Sequence, residues 1–292
     1  MQEIDRANFI ARYQLPESYA QYIQDWFMPV AEQIMLQQRE MGQALVVGIN
    51  GAQGAGKSTL AALLVAIFKQ QYQLNSVSIS IDDFYLTRYE RKRLAANVHS
   101  LMATRGVPGT HDVVLLKQVL THLINKMNPV DIPRFNKAID DRCPADKWDC
   151  VTEPIDIIVV EGWCLGAEPQ GEQALLNPVN QLEADEDRDA GWRHYVNQQL
   201  QDVYPALFDY IDRWIMLKAP SFDCVFNWRL EQENKLEQLT SEAPQLMDES
   251  AIKRFIQHYQ RITENTLETL PGKVDYLFEL NEQREITKLV CR

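Results

Sequence analysis

The sequence predicts an α/β domain, a mostly parallel sheet flanked by helices. Two observations lead there. An apolar stretch, Leu45, Val46, Val47 and Ile49, runs into a glycine-rich loop, and an apolar helix opens at Thr59. Further short apolar runs then alternate with helical segments as far as Leu280, the pattern of parallel strands joined by crossover helices. The chain has 292 residues and 46% hydrophobic content, ample for one large domain. Residues 1–40 read as an N-terminal helical extension, and 45–280 as the core of a single domain.

The elements follow in order. Residues 17–37 put Tyr19, Tyr22, Ile23, Trp26, Phe27, Val30 and Ile34 on one helical face, with Pro16 near the start. The helix after the glycine loop carries Leu60, Leu63, Leu64, Ile67 and Phe68. A strand at 77–81 ends in Asp82-Asp83-Phe84-Tyr85. Residues 88–103 are basic and read as helical. Glycine and proline make 105–112 a loop, and Asp112 can cap a helix over 113–124. Residues 130–133 are extended. Residues 134–154 are polar, with Pro144 and Pro154, and read as loop. A buried strand at 155–160 ends at Glu161-Gly162-Trp163. Residues 166–190 are acidic and carry proline and glycine, which predicts a surface excursion. A helix at 192–203, a strand at 214–217, a helix at 221–238 and a polar loop at 240–249 come next. The helix at 250–270 has Ile252, Phe255, Ile256, Tyr259, Ile262 and Leu267 on one stripe, before a last strand at 274–280.

The glycine loop reads Gly51-Ala52-Gln53-Gly54-Ala55-Gly56-Lys57-Ser58-Thr59. It has the Gly-x-x-x-x-Gly-Lys-Ser spacing between a strand and a helix, the context of a phosphate-cradling P-loop. The expected fold is that of the P-loop NTPases, and the expected ligand is a nucleoside triphosphate. Backbone N–H groups and the positive end of the helix meet the phosphate oxygens. Gly54 and Gly56 let the chain turn tightly. Lys57 is a point charge for the β- and γ-phosphates, and Ser58 offers a hydroxyl to Mg²⁺. A dinucleotide fingerprint does not fit, because Thr59 stands where its third glycine belongs.

In open α/β sheets, ligands sit at the carboxyl ends of strands. Asp82, Asp83 and Glu161 fall there. Phosphoryl transfer needs an acid beside the accepting hydroxyl and another near the metal. Asp82 suits the first task and Glu161 the second. A plain turn is the bland alternative for Asp82-Asp83. Arg229 lies on an apolar stripe with Phe222, Val225, Phe226 and Leu230. A guanidinium there is costly unless paired. It meets an acid such as Glu233, or it points at phosphate as a lid arginine. Lys218 follows a strand end and is a weaker candidate for the same work. Arg105, His111, Arg134, Lys137 and Arg142 concentrate positive charge in two loops of an acidic protein. A solvated surface explains each singly; together they suit an anionic acceptor. Asp83, Tyr85, Arg105, His111, Asp112 and Arg134 are the candidate acceptor-binding residues.

The net charge of −12 argues against a nucleic-acid partner. No stretch has the length of a membrane span, and no signal-like run opens the chain. Five cysteines show neither a C-x-x-C pair nor zinc spacing, which suits reduced thiols and a cytoplasmic protein. Asn136-Lys-Ala-Ile-Asp140 is one residue too long for a guanine-reading motif.

These segments resemble the plant-type D-glycerate 3-kinase family, within the phosphoribulokinase/uridine kinase/pantothenate kinase group. The resemblance rests on the P-loop, Ser80-Ile-Asp-Asp-Phe-Tyr-Leu-Thr87, Arg105-Gly-Val-Pro-Gly-Thr-His-Asp112 and Pro133-Arg-Phe-Asn-Lys137. Val160-Glu-Gly-Trp-Cys-Leu-Gly166, Asn177-Pro-Val-Asn180, Leu217-Lys-Ala-Pro-Ser221 and Trp228-Arg-Leu-Glu-Gln-Glu233 extend it. It spans about residues 45–280. The segments starting at Arg105 and Val160 are the ones more specific to the glycerate kinase branch. The resemblance implies ATP and Mg²⁺, transfer of the γ-phosphoryl to the 3-hydroxyl of D-glycerate, and insertions that form an acceptor site and a lid. By the same resemblance Asp82 is the base, Glu161 the acid near the metal and Arg229 a lid-region arginine. Phe135-Asn136 departs from the Tyr-Asp often found there, removing a negative charge near the acceptor. The branch also holds kinase-like proteins with unsettled substrates. A kinase of a nucleoside, pantothenate or sugar, or an ATP-binding regulator without an acceptor, remain alternatives. The chain shows no transit-like leader, which suits a bacterial or cytosolic protein.

Overall fold

The computed structural model describes residues 5–239 and 249–292. Among them, six strands form the main sheet: β1 (Leu45–Gly51), β2 (Ser76–Ser80), β3 (Ile157–Gly162), β4 (Arg213–Lys218), β5 (Tyr276–Leu280) and β6 (Ile286–Cys291). Their order is β6-β5-β4-β1-β3-β2. The first five run parallel, and β6 joins antiparallel at the edge beside β5. The predicted α/β architecture with a mostly parallel sheet is the one observed.

Strand β1 lies between β3 and β4 and is buried along its whole length. That is why it reads as a continuous apolar run. Side chains alternate between its two faces. Leu45, Val47 and Ile49 join one core with Leu60, Leu63 and Ile67 of the helix Lys57–Gln71 and with Ile23, Phe27 and Ile34 near the N-terminus. Val46 joins the other core with Ile158 and Val160 of β3, and with Leu116 and Leu120 of the helix Val113–Ile124. Each of these fully buried aliphatic side chains contributes about 1.5–3 kcal/mol. The N-terminal stripe packs as expected, through Tyr19–Tyr22, a π-turn at Ile23–Phe27 and the helix Met28–Met41. No helix among the described residues is long and apolar enough to cross a membrane.

Several expectations are corrected. The basic segment 88–103 is not one helix. A capping box between Thr87 and Glu90 starts Arg88–Asn97, and a separate 3-10 turn follows at Ser100–Ala103. The supposed loop 134–154 holds strand pairs: Val130–Ile132 pairs with Asp149–Val151, and Phe135–Asn136 with Asp141–Arg142. Segment 166–190 is not a plain surface excursion. It contains the helices Glu172–Leu175 and Gln181–Glu186, and Glu183 and Asp187 are fully buried. Arg261 grips Glu183 through two hydrogen bonds of 2.8 and 2.6 Å, and Arg193 lies 3.0 Å from Asp187. Buried acids persist where such partners satisfy them. The sheet continues past residue 280 into β6. Of the loop expected at 240–249, residues 240–248 lie outside the described residues, and Glu249 already opens the helix Glu249–Thr269.

Candidate active site

The carboxyl ends of β1, β2 and β3 deliver the P-loop, Asp82 and Glu161 to one edge of the sheet. A cavity of about 400 Å³ opens there. Gln53, Gly54, Lys57, Ser58, Asp82, Asp83, Tyr85, Arg105, Arg134, Lys137, Glu161 and Arg229 all line it.

The nucleotide end is built by one loop and its helix. Gly54 has φ +80°, and a Cβ there would lie 2.6 Å from the Cβ of Trp228. Only glycine fits. Lys57 Nζ reaches back across the loop and donates to the Ala52 carbonyl at 3.1 Å. Burial lowers the Lys57 pKa, while the Glu161 and Asp82 carboxylates oppose that. Ser58 Oγ donates to Glu161 Oε1 at 2.8 Å. These are two hard oxygen donors side by side beneath the loop, a donor set that fits Mg²⁺.

The acceptor end is built by side chains. Lys137 Nζ donates to Asp82 Oδ2 at 2.8 Å. Burial works to raise the Asp82 pKa, but Lys137, with help from Tyr85 and His111, holds it well below the ordinary carboxylate range. Asp82 is therefore ionised at neutral pH and accepts hydrogen bonds. Asp83 takes 2.6 Å from Arg134 Nη1 and 3.1 Å from the Phe135 N–H, so it anchors the 130–151 insertion to the end of β2. The Arg105 guanidinium lies over the Phe135 ring, 5.6 Å from its centroid, and pairs with Asp140. The Arg229 guanidinium sits 5.8 Å from the Phe255 centroid. The side chain of Glu233, its suggested partner, lies outside the described residues.

Residues 46–167 match the phosphoribulokinase/uridine kinase family. An uncharacterized kinase of Schizosaccharomyces pombe is 32% identical over 252 residues, which is 82% of this chain and 86% of that protein. The chain belongs to this family of P-loop kinases. The chloroplastic D-glycerate 3-kinase of Arabidopsis thaliana is 31% identical over 224 residues, 74% of this chain and 46% of the plant protein. The structure of a D-glycerate 3-kinase from Cryptococcus neoformans has a TM-score of 0.75 at 25% identity, covering 90% of this chain and 96% of that one. The kinase is an ATP-dependent phosphotransferase with an alcohol group as acceptor.

Not every candidate reaches the cavity of this kinase. His111 and Asp112 pack outside its lining. Burial lowers the His111 pKa to about 4. Its Nδ1 lies 2.6 Å from the Tyr204 hydroxyl, and its ring packs tilted against Tyr85 with centroids 4.9 Å apart. Asp112 caps the helix Val113–Ile124 by accepting from the Leu115 N–H at 3.0 Å, and Arg142 bonds its other oxygen at 3.2 Å. Arg142 and Lys218 are also absent from the lining, as are Gly51, Ala52, Ala55, Gly56 and Thr59 of the P-loop. Trp163 and Tyr259 are among the lining residues that the sequence did not mark as site residues. Trp163 donates to the Gly106 carbonyl at 2.9 Å, and Tyr259 donates to the Arg105 carbonyl at 3.0 Å. Their rings meet edge-on at 4.8 Å and seat the loop that carries Arg105. Tyr259 sat in an apolar stripe and read as core. The signal available was its hydroxyl, which needs a partner when buried.

Proposed function

We propose that this kinase transfers the γ-phosphoryl group of ATP to the 3-hydroxyl of D-glycerate, giving 3-phosphoglycerate. One observation carries the reading: Lys57, the Ser58–Glu161 pair and an ionised Asp82 share a single cavity with the cations Arg105, Arg134 and Lys137. The P-loop amides and Lys57 hold the phosphates in place. Ser58 and Glu161 would hold Mg²⁺, which when bound neutralises charge on the phosphate oxygens. Asp82 accepts a hydrogen bond from the 3-hydroxyl and aims its oxygen at the terminal phosphorus. A carboxylate with so low a pKa is a weak base. Transfer through a loose transition state asks mainly for positioning: the bond from phosphorus to the ADP oxygen breaks as the new O–P bond forms, and the hydroxyl proton passes to Asp82 late. Arg229 contributes charge to the phosphate side of the cavity. Arg105, a cation on the wall of this cavity, favours an acceptor that carries a carboxylate. The catalytic unit in this reading is the single domain at 45–280, with 1–40 as a helical extension. The five free cysteines suit a cytosolic setting.

The test is an ADP-release assay with D-glycerate, other hydroxy acids, nucleosides, sugars and pantothenate. D-glycerate should stimulate turnover most, and 3-phosphoglycerate should accumulate in step with ADP. Stimulation by a different acceptor with none by D-glycerate would reassign the substrate. Tight ATP binding with no stimulation by any acceptor would point to a regulator.

A further inference from the structure

We propose that Arg105, and not Arg134, binds the carboxylate of the acceptor, and that Asp140 and the buried Arg91 set its position. The inference rests on the reading of the acceptor as D-glycerate.

Both arginines line the cavity, but their donors are committed differently. Arg134 Nε donates to Asp149 Oδ2 at 2.9 Å, Nη2 donates to the same oxygen, and Nη1 donates to Asp83 Oδ2 at 2.6 Å. All three nitrogens already hold carboxylates. Releasing them would strand Asp83, which is 18% exposed. Arg134 is thus a strut between the end of β2 and the insertion. Arg105 Nη1 holds Asp140, while its Nε and Nη2 have no acceptor among the described residues. A guanidinium with an open edge beside a cavity is suited to a fork of two hydrogen bonds to a carboxylate. The Phe135 ring fixes its plane.

The support beneath Arg105 is deep. Asp140 Oδ1 takes Arg105, and its Oδ2 takes Arg91 at 2.9 Å. Arg91 is 1% exposed and also donates to the carbonyls of Leu86 (3.1 Å), Ala103 (2.8 Å) and Asp140 (2.7 Å). Its guanidinium cannot swing without breaking these bonds. Three residues earlier on the same turn, Lys137 holds Asp82. The turn at 136–140 therefore sets both the group that faces the acceptor's hydroxyl and the group that faces its carboxylate. Tyr85 and Tyr259 each feel the charges of both Asp82 and Arg105.

The experiment compares D-glycerate with glycerol, which keeps the hydroxyls and lacks the carboxylate. The ratio of their kcat/KM values is measured for the full chain and for R105M, R105K, D140N and R134M. The unaltered kinase should favour D-glycerate by about 10⁴-fold, as expected when buried donors are left unpaired by the wrong substrate. R105M should cut that ratio by about 10²-fold through the KM for D-glycerate, with the KM for ATP unchanged. R105K should recover part of it. D140N should raise the same KM and leave kcat nearly as it was, a split that loss of stability alone does not produce. R134M should melt at lower temperature and keep the ratio. If R134M does not fold, the R105M ratio and the stabilisation of that variant by D-glycerate in thermal melts still decide. An unchanged ratio or unchanged stabilisation in R105M overturns the assignment. Turnover of D-glycerate by the unaltered chain decides the functional reading separately. If another hydroxy acid is the acceptor, that acid and its alcohol analogue replace the pair, and the same variants decide. A chain with no preference for any carboxylate overturns both.

Discussion

At the nucleotide end of the cavity, one stretch, 45–58, supplies the strand, the loop, the lysine and the hydroxyl, and Glu161 joins that hydroxyl from 103 residues on. At the acceptor end, the ties are side-chain ion pairs between distant segments. Lys137 and Asp82 are 55 residues apart, Arg134 and Asp83 are 51, and Arg105 and Asp140 are 35. A polyphosphate offers the same oxygens in every nucleoside triphosphate, so backbone amides in a fixed loop suffice. An acceptor differs from kinase to kinase, and charged side chains on an insertion can be exchanged without disturbing the loop. The two ends should therefore fail in different ways.

Asp82 stands where the ends meet, and its loss should cost most. Asp82→Asn should lower turnover by about 10²–10⁴-fold while ATP titration shows binding retained. Near-normal turnover would take Asp82 out of the reaction. Lys57→Ala should come next, with kcat/KM for ATP falling by about 10²–10³-fold, the scale for removing one preorganised charge or donor. A matching rise in the acceptor KM would show that the ends are not separable.

Gly106→Ala strikes the seat of the acceptor loop. Its φ is +123°, and a Cβ would lie 2.2 Å from the Tyr259 hydroxyl. A loss of about 1–3 kcal/mol is expected. Urea melts should report it, together with a raised acceptor KM and an unchanged KM for ATP.

Lys137→Met gives a smaller effect at neutral pH. Lys137 is 60% exposed, so solvent screens the pair and a loss of about fivefold or less is expected there. The pH profile is the sharper readout. The Asp82 pKa is depressed, so the benefit of its charge is present above the ordinary carboxylate range and is lost as pH falls through the depressed value. Removing the ammonium lifts that pKa, and the acid limb of kcat/KM should move to higher pH. An unmoved limb would show that the Lys137 ammonium is not what holds the charge.

The smallest effect concerns His111, under the acceptor end. Burial lowers its pKa from 6.5 to about 4. It is neutral in the fold, so its contribution to stability is complete above pH 6.5 and drains away as pH falls toward 4. The urea midpoint should be lower at pH 5 than at pH 7, and the drop should shrink in His111→Gln.

The local chain alone determined the α/β architecture, the glycine loop and its ligand class, the acids at the strand ends and the apolar stripes of the helices. Periodicity, strand-end position and loop spacing are short-range properties, carried by neighbours in sequence. Tertiary structure decided which charges face the cavity. Arg105 and Arg134 look alike in sequence, yet Asp149 and Asp83 occupy one, and the other keeps an open edge. It also buried Glu183 and Asp187 against Arg261 and Arg193, packed His111 against Tyr85, and added β6 to the sheet. The reason is the range of the forces involved. A charged side chain takes its role from whichever partner the fold brings within about 3 Å, and no local pattern names that partner.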